Sequence, residues 1–203
     1  MSKPELNERM DEMLSSPIYT ELLLCIASGK NYASSIARFL GKRQSTVTEQ
    51  LKELEGAGLI ESRRNGATVK YYIKWGLLAK HARLFIRDIL KERGEHYSPD
   101  KIKKLKENLA VILPTSFLRS FFKEYSKHLS TVGGVKKSFT ELILAMLYAI
   151  LQLDKAKFEA LAKRFNINPR DLSDLASIVG IETHVVELSA LDWLAERGDD
   201  ENG

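Results

Sequence analysis

The fold of the first half of the chain is decided by residues 35–60, which read SIARFLGKRQSTVTEQLKELEGAGLI. A helix-turn-helix needs a small residue where its helices cross, a residue tolerant of positive φ in the turn, and an apolar residue facing back from the second helix. Ala37, Gly41 and Val47 meet these needs at the expected spacing. The interior is completed by Ile36, Leu40 and Leu51. The stretch therefore predicts a helix-turn-helix.

Start and stop signals place the helices of this region. Pro17 follows two serines and begins a helix that Gly29 ends. Asn31 is a good N-cap for a second helix over residues 32–40. A third helix is predicted over residues 45–55.

Two strands are predicted directly after the third helix. Residues 59–64 and 67–74 have strand composition, and Asn65-Gly66 between them is a strong signal for a tight hairpin turn. A long amphipathic helix then covers residues 77–93. Its apolar stripe consists of Leu77, Leu78, Ala82, Phe85, Ile86, Ile89 and Leu90.

The order of three helices and a hairpin resembles the winged helix-turn-helix transcription factors of bacteria and archaea, especially the ArsR-like group. The resemblance rests on residues 35–41, SIARFLG, and residues 45–60, STVTEQLKELEGAGLI, and it covers about residues 17–90. Proteins of this type generally bind two DNA half-sites as two-fold dimers. The resemblance therefore implies a dimeric DNA-binding protein.

Charge is strongly segregated along the chain, although its net value is only +4. Residues 30–87 contain 12 basic and 4 acidic residues, a net charge of +8, whereas residues 138–203 have a net charge of −6. A block of one sign creates a local field that attracts a polyanion. The predicted helix-turn-helix and hairpin both lie within the basic block.

The candidate DNA contacts are the polar residues left outside when Val47, Leu51 and Leu54 face inward. Gln can bind an adenine edge through two hydrogen bonds, and Ser and Thr serve base edges or phosphates. Cations in the turn are placed for phosphates. The resemblance implies that the wing cations contact the neighbouring backbone or minor groove. The candidates are Lys42, Arg43, Gln44, Ser45, Thr46, Thr48, Glu49, Lys52, Arg63, Arg64 and Lys70.

Two features of this region leave alternatives open. Glu49 is a carboxylate where phosphates are expected, so it accepts a hydrogen bond from cytosine, pairs with a nearby arginine, or points away. The stripe of residues 77–93 is wider than one small domain needs. It either contributes to a dimer interface or packs against residues 18–26.

The second half of the chain is predicted to be helical throughout. After a boundary at residues 94–100, helices are expected over 102–112, 118–129, 139–153, 155–165, 169–179 and 183–196. The fold class is therefore mainly α with a small β-hairpin wing. The predicted domains are a winged helix-turn-helix domain with its following long helix, residues 1–94, and an all-helical domain, residues 95–203.

A second helix-turn-helix spacing occurs in the C-terminal half, with Asn166 in the position of the turn glycine. Asn tolerates positive φ, so the geometry is allowed. Asp171 and Asp174 on the second helix oppose binding to a polyanion, which favours an ordinary helix pair. A lysine cluster nearby either extends the phosphate-binding surface or neutralises acidic residues. It consists of Lys101, Lys103, Lys104 and Lys106.

Composition argues against several other classes of protein. The longest apolar run has ten residues, whereas a membrane-spanning helix needs about 20. The N-terminus lacks an apolar signal segment, so a cytoplasmic, nucleoid-associated protein is expected. The single Cys25 excludes an internal disulfide, and no paired catalytic groups stand out, so neither an enzyme nor a cofactor is expected. No metal site is expected from the scattered histidines, which are interpreted as surface or capping residues: His81, His96, His128 and His184.

These features predict a sequence-specific, double-stranded-DNA-binding transcriptional regulator that acts as a homodimer. The C-terminal half is expected to serve dimerisation, contact with a partner, or binding of a small-molecule or protein effector. The alternative is an adaptor that uses its winged helix as a rigid protein-interaction module without specific DNA binding.

Overall fold

The computed structural model describes residues 3–128, 136–181 and 189–196. These residues form helices and one two-stranded antiparallel sheet, the predicted mainly α architecture with a hairpin wing. The elements are α1 (Lys3–Leu14), α2 (Pro17–Ala27), α3 (Ala33–Leu40), α4 (Gln44–Gly56), β1 (Ile60–Asn65), β2 (Thr68–Ile73), α5 (Trp75–Arg93), a 3-10 turn (Gly94–His96), α6 (Pro99–Glu107), α7 (Leu109–Ile112), α8 (Thr115–His128), α9 (Phe139–Ile150), α10 (Lys155–Arg164), α11 (Pro169–Val179) and α12 (Ser189–Glu196).

The chain divides into two compact units. The first contains residues 1–78 and 125–140, and the second contains residues 79–124 and 141–203. The first unit holds α1 to α4 and both strands. These units interleave along the sequence, whereas the predicted domains are contiguous. The division into residues 1–94 and 95–203 therefore stays a prediction.

The helix-turn-helix of the first unit has the predicted interior except at Leu40, which is only half-buried. Ile36, Val47 and Leu51 are fully buried, and Ala37 is 4% exposed where α3 meets α4. Gly41 follows α3 with φ 63° and ψ 28°, the left-handed conformation expected of a turn glycine. The apolar sides of α3 and α4 therefore face each other, and the opposite side of α4 is left to solvent.

The start of α3 differs from the prediction. The N-cap is Tyr32 and not Asn31. The backbone amide of Tyr32 donates to the Ser35 hydroxyl at 3.3 Å, and the same hydroxyl donates to the Tyr32 carbonyl at 2.8 Å. The carbonyl of Asn31 instead accepts from the amide of Tyr71 at 2.9 Å. Asn31 thus lies beside β2, and its prediction as the N-cap is wrong.

The hairpin is confirmed, with a loop one residue later than predicted. Ile60 pairs with Ile73 and Asn65 pairs with Thr68, so the two loop residues are Gly66 and Ala67. Gly66 has φ 63°. Only the first of the two loop residues has a positive φ, which matches a type II′ turn. Glycine is favoured at the first central position of that turn.

Several helices of the C-terminal half differ in length from the prediction, and α8 begins at Thr115, three residues before its expected start. The single helix expected over residues 102–112 is interrupted at Asn108, whose side-chain amide donates to the carbonyl of Lys104 at 2.9 Å. Helix α9 ends at Ile150, three residues before the predicted end. Of the helix predicted over residues 183–196, the part up to residue 188 lies outside the described residues.

The second helix-turn-helix spacing forms the geometry that its sequence allows. Asn166, between α10 and α11, has φ 52° and takes the position of the turn glycine. Asn168 caps α11, because its side-chain oxygen accepts from the amides of Arg170 at 2.9 Å and Asp171 at 3.2 Å. Helix α11 therefore starts as predicted.

The acidic side chains of α11 are paired with lysines of α6. Lys101 lies 2.8 Å from Asp174, and Lys104 lies 2.8 Å from Asp171. At the other end of α11, the Arg93 guanidinium donates to the carbonyl of Val179 at 3.2 Å. Of the two roles considered for the lysine cluster, Lys101 and Lys104 thus serve neutralisation within the unit.

Two interpretations of single residues have different outcomes. Cys25 lies among apolar residues of α2, which predicts a small buried core residue. It is fully buried, and burial raises the pKa of its thiol to about 12. His81 is also buried, so its interpretation as a surface residue is wrong, whereas its interpretation as a capping residue stays a prediction. Among the described residues, no helix combines the length and apolarity needed to cross a membrane.

The left-handed backbone at Gly41 makes a quantitative prediction. An L side chain is strained at this φ, so Gly41→Ala is expected to lower the free energy of unfolding by about 1 kcal/mol. The change is measured by urea unfolding followed by circular dichroism.

The matched control for this substitution is Gly56→Ala. A methyl group at either position meets no described residue within 4 Å, but Gly56 lies in α4 without a positive φ. Gly56→Ala is therefore expected to leave stability unchanged or raise it by up to about 1 kcal/mol. Equal losses at both positions would contradict the assigned role of the Gly41 backbone.

Candidate nucleic-acid interface

The exposed side of α4 begins at an open helix terminus. The N-cap residue Arg43 is in extended backbone and its side chain makes no capping hydrogen bond. The first amides of a helix have no partner within the helix, and together with the helix dipole they attract anions. Four predicted contact residues of this first turn are exposed: Arg43, Gln44, Ser45 and Thr46. The start of α4 therefore offers donors and uncharged polar side chains to an anionic partner.

Farther along α4, the candidates differ in what remains available for contact. The Thr48 hydroxyl donates to the Gln44 carbonyl at 2.8 Å, which leaves its methyl group and an oxygen lone pair for contact. Glu49 and Lys52 are exposed. Within the described part of the chain, no cation lies within 4 Å of the Glu49 carboxylate, so it does not pair with an arginine here.

The first cation of the turn is already paired. The Lys42 ammonium lies 2.8 Å from the carboxylate of Glu21 on α2, and their side chains are 32% and 12% exposed. This ion pair joins the turn to α2 and fixes where α4 begins. A phosphate contact by Lys42 must therefore share this ammonium with Glu21. Among the described residues, no carboxylate lies within 4 Å of the exposed Arg43 guanidinium.

The wing divides its three predicted cations between two faces. Residues paired across an antiparallel ladder point to the same side, and neighbours along a strand point to opposite sides. Arg63 pairs with Lys70, and Arg64 pairs with Val69. Arg63 and Lys70 thus lie on one face, and Arg64 lies on the other with Val69.

The face of Arg63 and Lys70 is organised around an aromatic ring. The Arg63 guanidinium lies 4.9 Å from the Tyr72 ring centroid and pairs with the Glu61 carboxylate. The Lys70 ammonium lies 5.6 Å from the same ring and 5.9 Å from that of Tyr32. Cations over aromatic rings are held in place without losing their charge. The aromatic rings therefore fix the positions of these two cations on one face of the wing.

A shallow groove of about 280 Å³ lies between α4, the start of α3 and the wing. Gln44 and Thr48 line it from α4, and Val69 lines it from the groove side of β2. Sequence reasoning missed the opposite wall, because those residues carry no charge and lie outside α4. They are Tyr32, Ser34, Thr68 and Tyr71.

The far end of α4 is fixed to α2 and to β1 by carboxylates. The Tyr19 hydroxyl donates to the Glu53 carboxylate, and the Ser62 amide donates to Glu55 at 2.8 Å. Burial, and next the hydrogen bond to Glu53, raise the pKa of Tyr19 to about 12. These contacts orient α4 relative to the wing, which sequence patterns alone do not reveal.

Comparison with known protein families gives one match. Residues 7–71 match the family model described as Methanogenesis regulatory protein FilR1, N-terminal domain. The matched segment includes α2, α3, α4 and β1, so it contains the helix-turn-helix and the first strand of the wing. No curated protein and no solved structure matches the chain. The similarity supports a transcriptional regulator, and the ArsR-like assignment stays a prediction.

The described residues contain no group of three or more histidine, cysteine, aspartate or glutamate side chains that could hold a metal ion. The candidate interface of α4 and the wing instead consists of hydroxyls, an amide, backbone donors and cations. Such groups bind oxyanions and base edges without a metal.

The bond between Tyr19 and Glu53 predicts a pH-dependent stability. Tyr19→Phe is expected to lower the unfolding free energy by about 1 kcal/mol at pH 8, where Tyr19 is neutral in both the folded and the unfolded protein. The pKa is raised in the folded state, so this contribution is complete below about pH 10 and is lost as the pH rises towards 12. The gap between wild type and variant therefore narrows above pH 10.

Urea unfolding at pH 8 and pH 10.5 measures this gap. Tyr97→Phe, which alters an exposed ring of the second unit, serves as the control and is expected to leave stability unchanged at both values. A gap that stays constant between the two pH values would contradict the role of Tyr19.

Proposed function

We propose that this protein is a sequence-specific double-stranded-DNA-binding transcriptional regulator. The observation that supports it most directly is the placement of α4. Its exposed polar side and open N-terminus share one groove with the wing, inside a segment of net charge +8. The major groove of B-DNA admits a helix of this size, and its base edges offer donors and acceptors. The match to a regulatory family supports the same function.

In this proposal, the first turns of α4 read base edges. Gln44 is at the start of the helix, where recognition helices contact bases, and its amide can bind adenine through two hydrogen bonds. Ser45 and Thr46 contact base edges or phosphates. The methyl group of Thr48 is available to a thymine methyl. Glu49 accepts a hydrogen bond from cytosine or stays in solvent.

The cations of the turn and the wing hold the backbone. Arg43 contacts a phosphate beside the open terminus of α4, and Lys52 adds a positive charge farther along the helix. Arg64 is on the same wing face as the groove-lining Val69, so it contacts the strand next to α4. Arg63 and Lys70, on the opposite face, contact the neighbouring backbone or minor groove.

We also propose that the protein acts as an ArsR-like homodimer. Two half-sites about 34–36 Å apart increase both affinity and specificity. Within α5, Leu78, Ala82, Ile86 and Leu90 are buried, whereas Leu77, Phe85 and Ile89 are half-buried. The half-buried row supports a self-association surface, because its apolar area is incompletely covered within one chain.

The decisive experiment is a gel shift with genomic fragments at 50 and 200 mM salt. Binding that survives competitor DNA and weakens with salt is the expected result, since phosphate contacts release counterions. The absence of binding even at 50 mM salt would remove the proposal and favour the adaptor.

Substitutions separate base reading from backbone contact. Arg64→Ala and Arg63→Ala are expected to weaken binding to all sequences alike and to reduce the salt slope by about 1 each. Gln44→Ala is expected to lose about 1–3 kcal/mol on the preferred site and little on unrelated DNA. Fluorescence anisotropy with both duplexes measures these effects.

The control for the charge substitutions is Lys155→Ala, which removes a cation that is 89% exposed on α10. It is expected to leave both affinity and salt slope unchanged. Uniform losses for Gln44→Ala and the arginine variants would show that the assignment of reader and backbone contact is wrong.

The dimer is tested by sedimentation equilibrium. Phe85→Ser is expected to shift the protein from dimer to monomer, because it removes half-buried apolar surface from α5. Leu151→Ser, at a leucine that is 39% exposed after α9, is the control and is expected to remain dimeric. A wild-type monomer at micromolar concentration would contradict the proposed assembly.

A further inference from the structure

The second unit contains a groove between α5 and α6 with a volume of about 590 Å³. This lies within the range of about 300–1,000 Å³ that is typical of small-molecule sites. Its lining belongs wholly to the second unit and includes none of the candidate DNA contacts. The groove is therefore a surface distinct from the candidate DNA contacts.

Two helices present matching faces to this groove. Helix α5 contributes Arg87, Leu90 and Lys91, and Gly94 follows directly after its end. Helix α6 contributes Pro99, Ile102, Lys103 and Lys106. In each set these residues follow the spacing i, i+3, i+4, i+7, which places them on one side of the helix. Each face thus combines an apolar centre with cations beside it.

The floor of the groove is apolar and closely packed. Leu90 is fully buried and Ile102 is 6% exposed. A Cβ atom on Gly94 would lie 3.0–3.2 Å from three side-chain carbons of Ile102, so the glycine lets α5 end directly against this floor. The ring of Tyr97 lines the same groove and is 40% exposed. An apolar body can therefore lie on the floor and against the ring.

The rim of the groove is positively charged. It has four cations, from Arg87, Lys91, Lys103 and Lys106, against the carboxylates of Glu95 and Glu107. The Arg87 guanidinium also donates to the backbone carbonyl of Lys106 at 3.4 Å, which joins the two walls.

The lysines of α6 fall into two sets with different surroundings. Lys101 and Lys104 are each 2.8 Å from an aspartate of α11. Within the described ranges, no carboxylate lies within 4 Å of the ammonium groups of Lys103 or Lys106. The second set faces the groove, and its charge is available to an anion.

We propose that this groove binds a small organic anion, a molecule with an apolar body and one carboxylate or sulfonate group. The apolar body lies on Leu90 and Ile102 beside the Tyr97 ring. The anionic group is held by Lys103 and Lys106, because opposite charge beside a partly apolar wall is screened less than on open surface. The groove selects this class of ligand because it buries the apolar body of the ligand and pairs with the anionic group at the same time.

Two fluorescent probes of the same shape test the proposal on the full-length protein. 8-Anilinonaphthalene-1-sulfonate has an aromatic body and a sulfonate, and N-phenyl-1-naphthylamine has the same body without charge. The sulfonate is expected to bind saturably at one site per chain. The double variant Lys103→Ala, Lys106→Ala is expected to bind it about tenfold more weakly, which corresponds to about 1.4 kcal/mol.

The neutral probe and a second variant distinguish the loss of the lysine charges from a loss of the folded groove. Binding of the neutral probe is expected to change less than twofold in the double lysine variant, and Tyr97→Ala is expected to weaken both probes. The control is the double variant Lys155→Ala, Lys163→Ala, which removes two exposed cations of α10 and is expected to leave both probes unaffected. Thermal unfolding by circular dichroism verifies that each variant is folded.

Competition defines the ligand class. Sodium octanoate is expected to displace the sulfonate probe, and sodium acetate at the same ionic strength is not. Non-saturable binding, equal loss in the α10 control, or equal displacement by acetate would overturn the proposal and identify non-specific adsorption of the probe. Because no DNA is present, failure here leaves the proposed regulator untouched.

Discussion

The left-handed backbone at Gly41 is the constraint on which the rest of the first unit depends. It ends α3 and directs the chain so that Val47 and Leu51 return against the buried Ile36. Once this side of α4 is fixed, its opposite side can only face outward. The polar groove with the wing is thus a consequence of one turn conformation that glycine adopts at little energetic cost.

Local sequence signals were sufficient to predict helix ends and turn conformations that depend only on neighbouring residues. Pro17, Asn168 and Gly41 mark helix ends as predicted, and Asn166 adopts positive φ. The predicted N-cap of α3 was wrong because a strand distant in the sequence binds the predicted residue. Asn31 has the chemistry of an N-cap, but its carbonyl is bound by the amide of Tyr71, forty residues later in the chain. No local pattern contains that information.

Charge patterns located the basic surface but not the state of each charge. The sequence places Lys42 beside Arg43, yet only the fold brings Glu21 to within 2.8 Å of Lys42. In the same way, strand alternation separates Arg63 from Arg64, but their relation to the groove depends on how the hairpin packs. The sequence therefore proposes the candidate residues as a set, whereas their exposure and their partners required three-dimensional positions.

The pair α10 and α11 repeats the local geometry of α3 and α4 in a different electrostatic setting. Its turn has Asn166 in place of glycine, and its second helix has aspartates neutralised by α6. The chain thus contains two helix pairs with the same turn conformation. The outward side of α4 is exposed to solvent, whereas aspartates of α11 form ion pairs with α6. The same turn conformation is thus compatible with an exposed second helix and with one bound to a neighbouring helix, and the charges of its side chains distinguish the two cases.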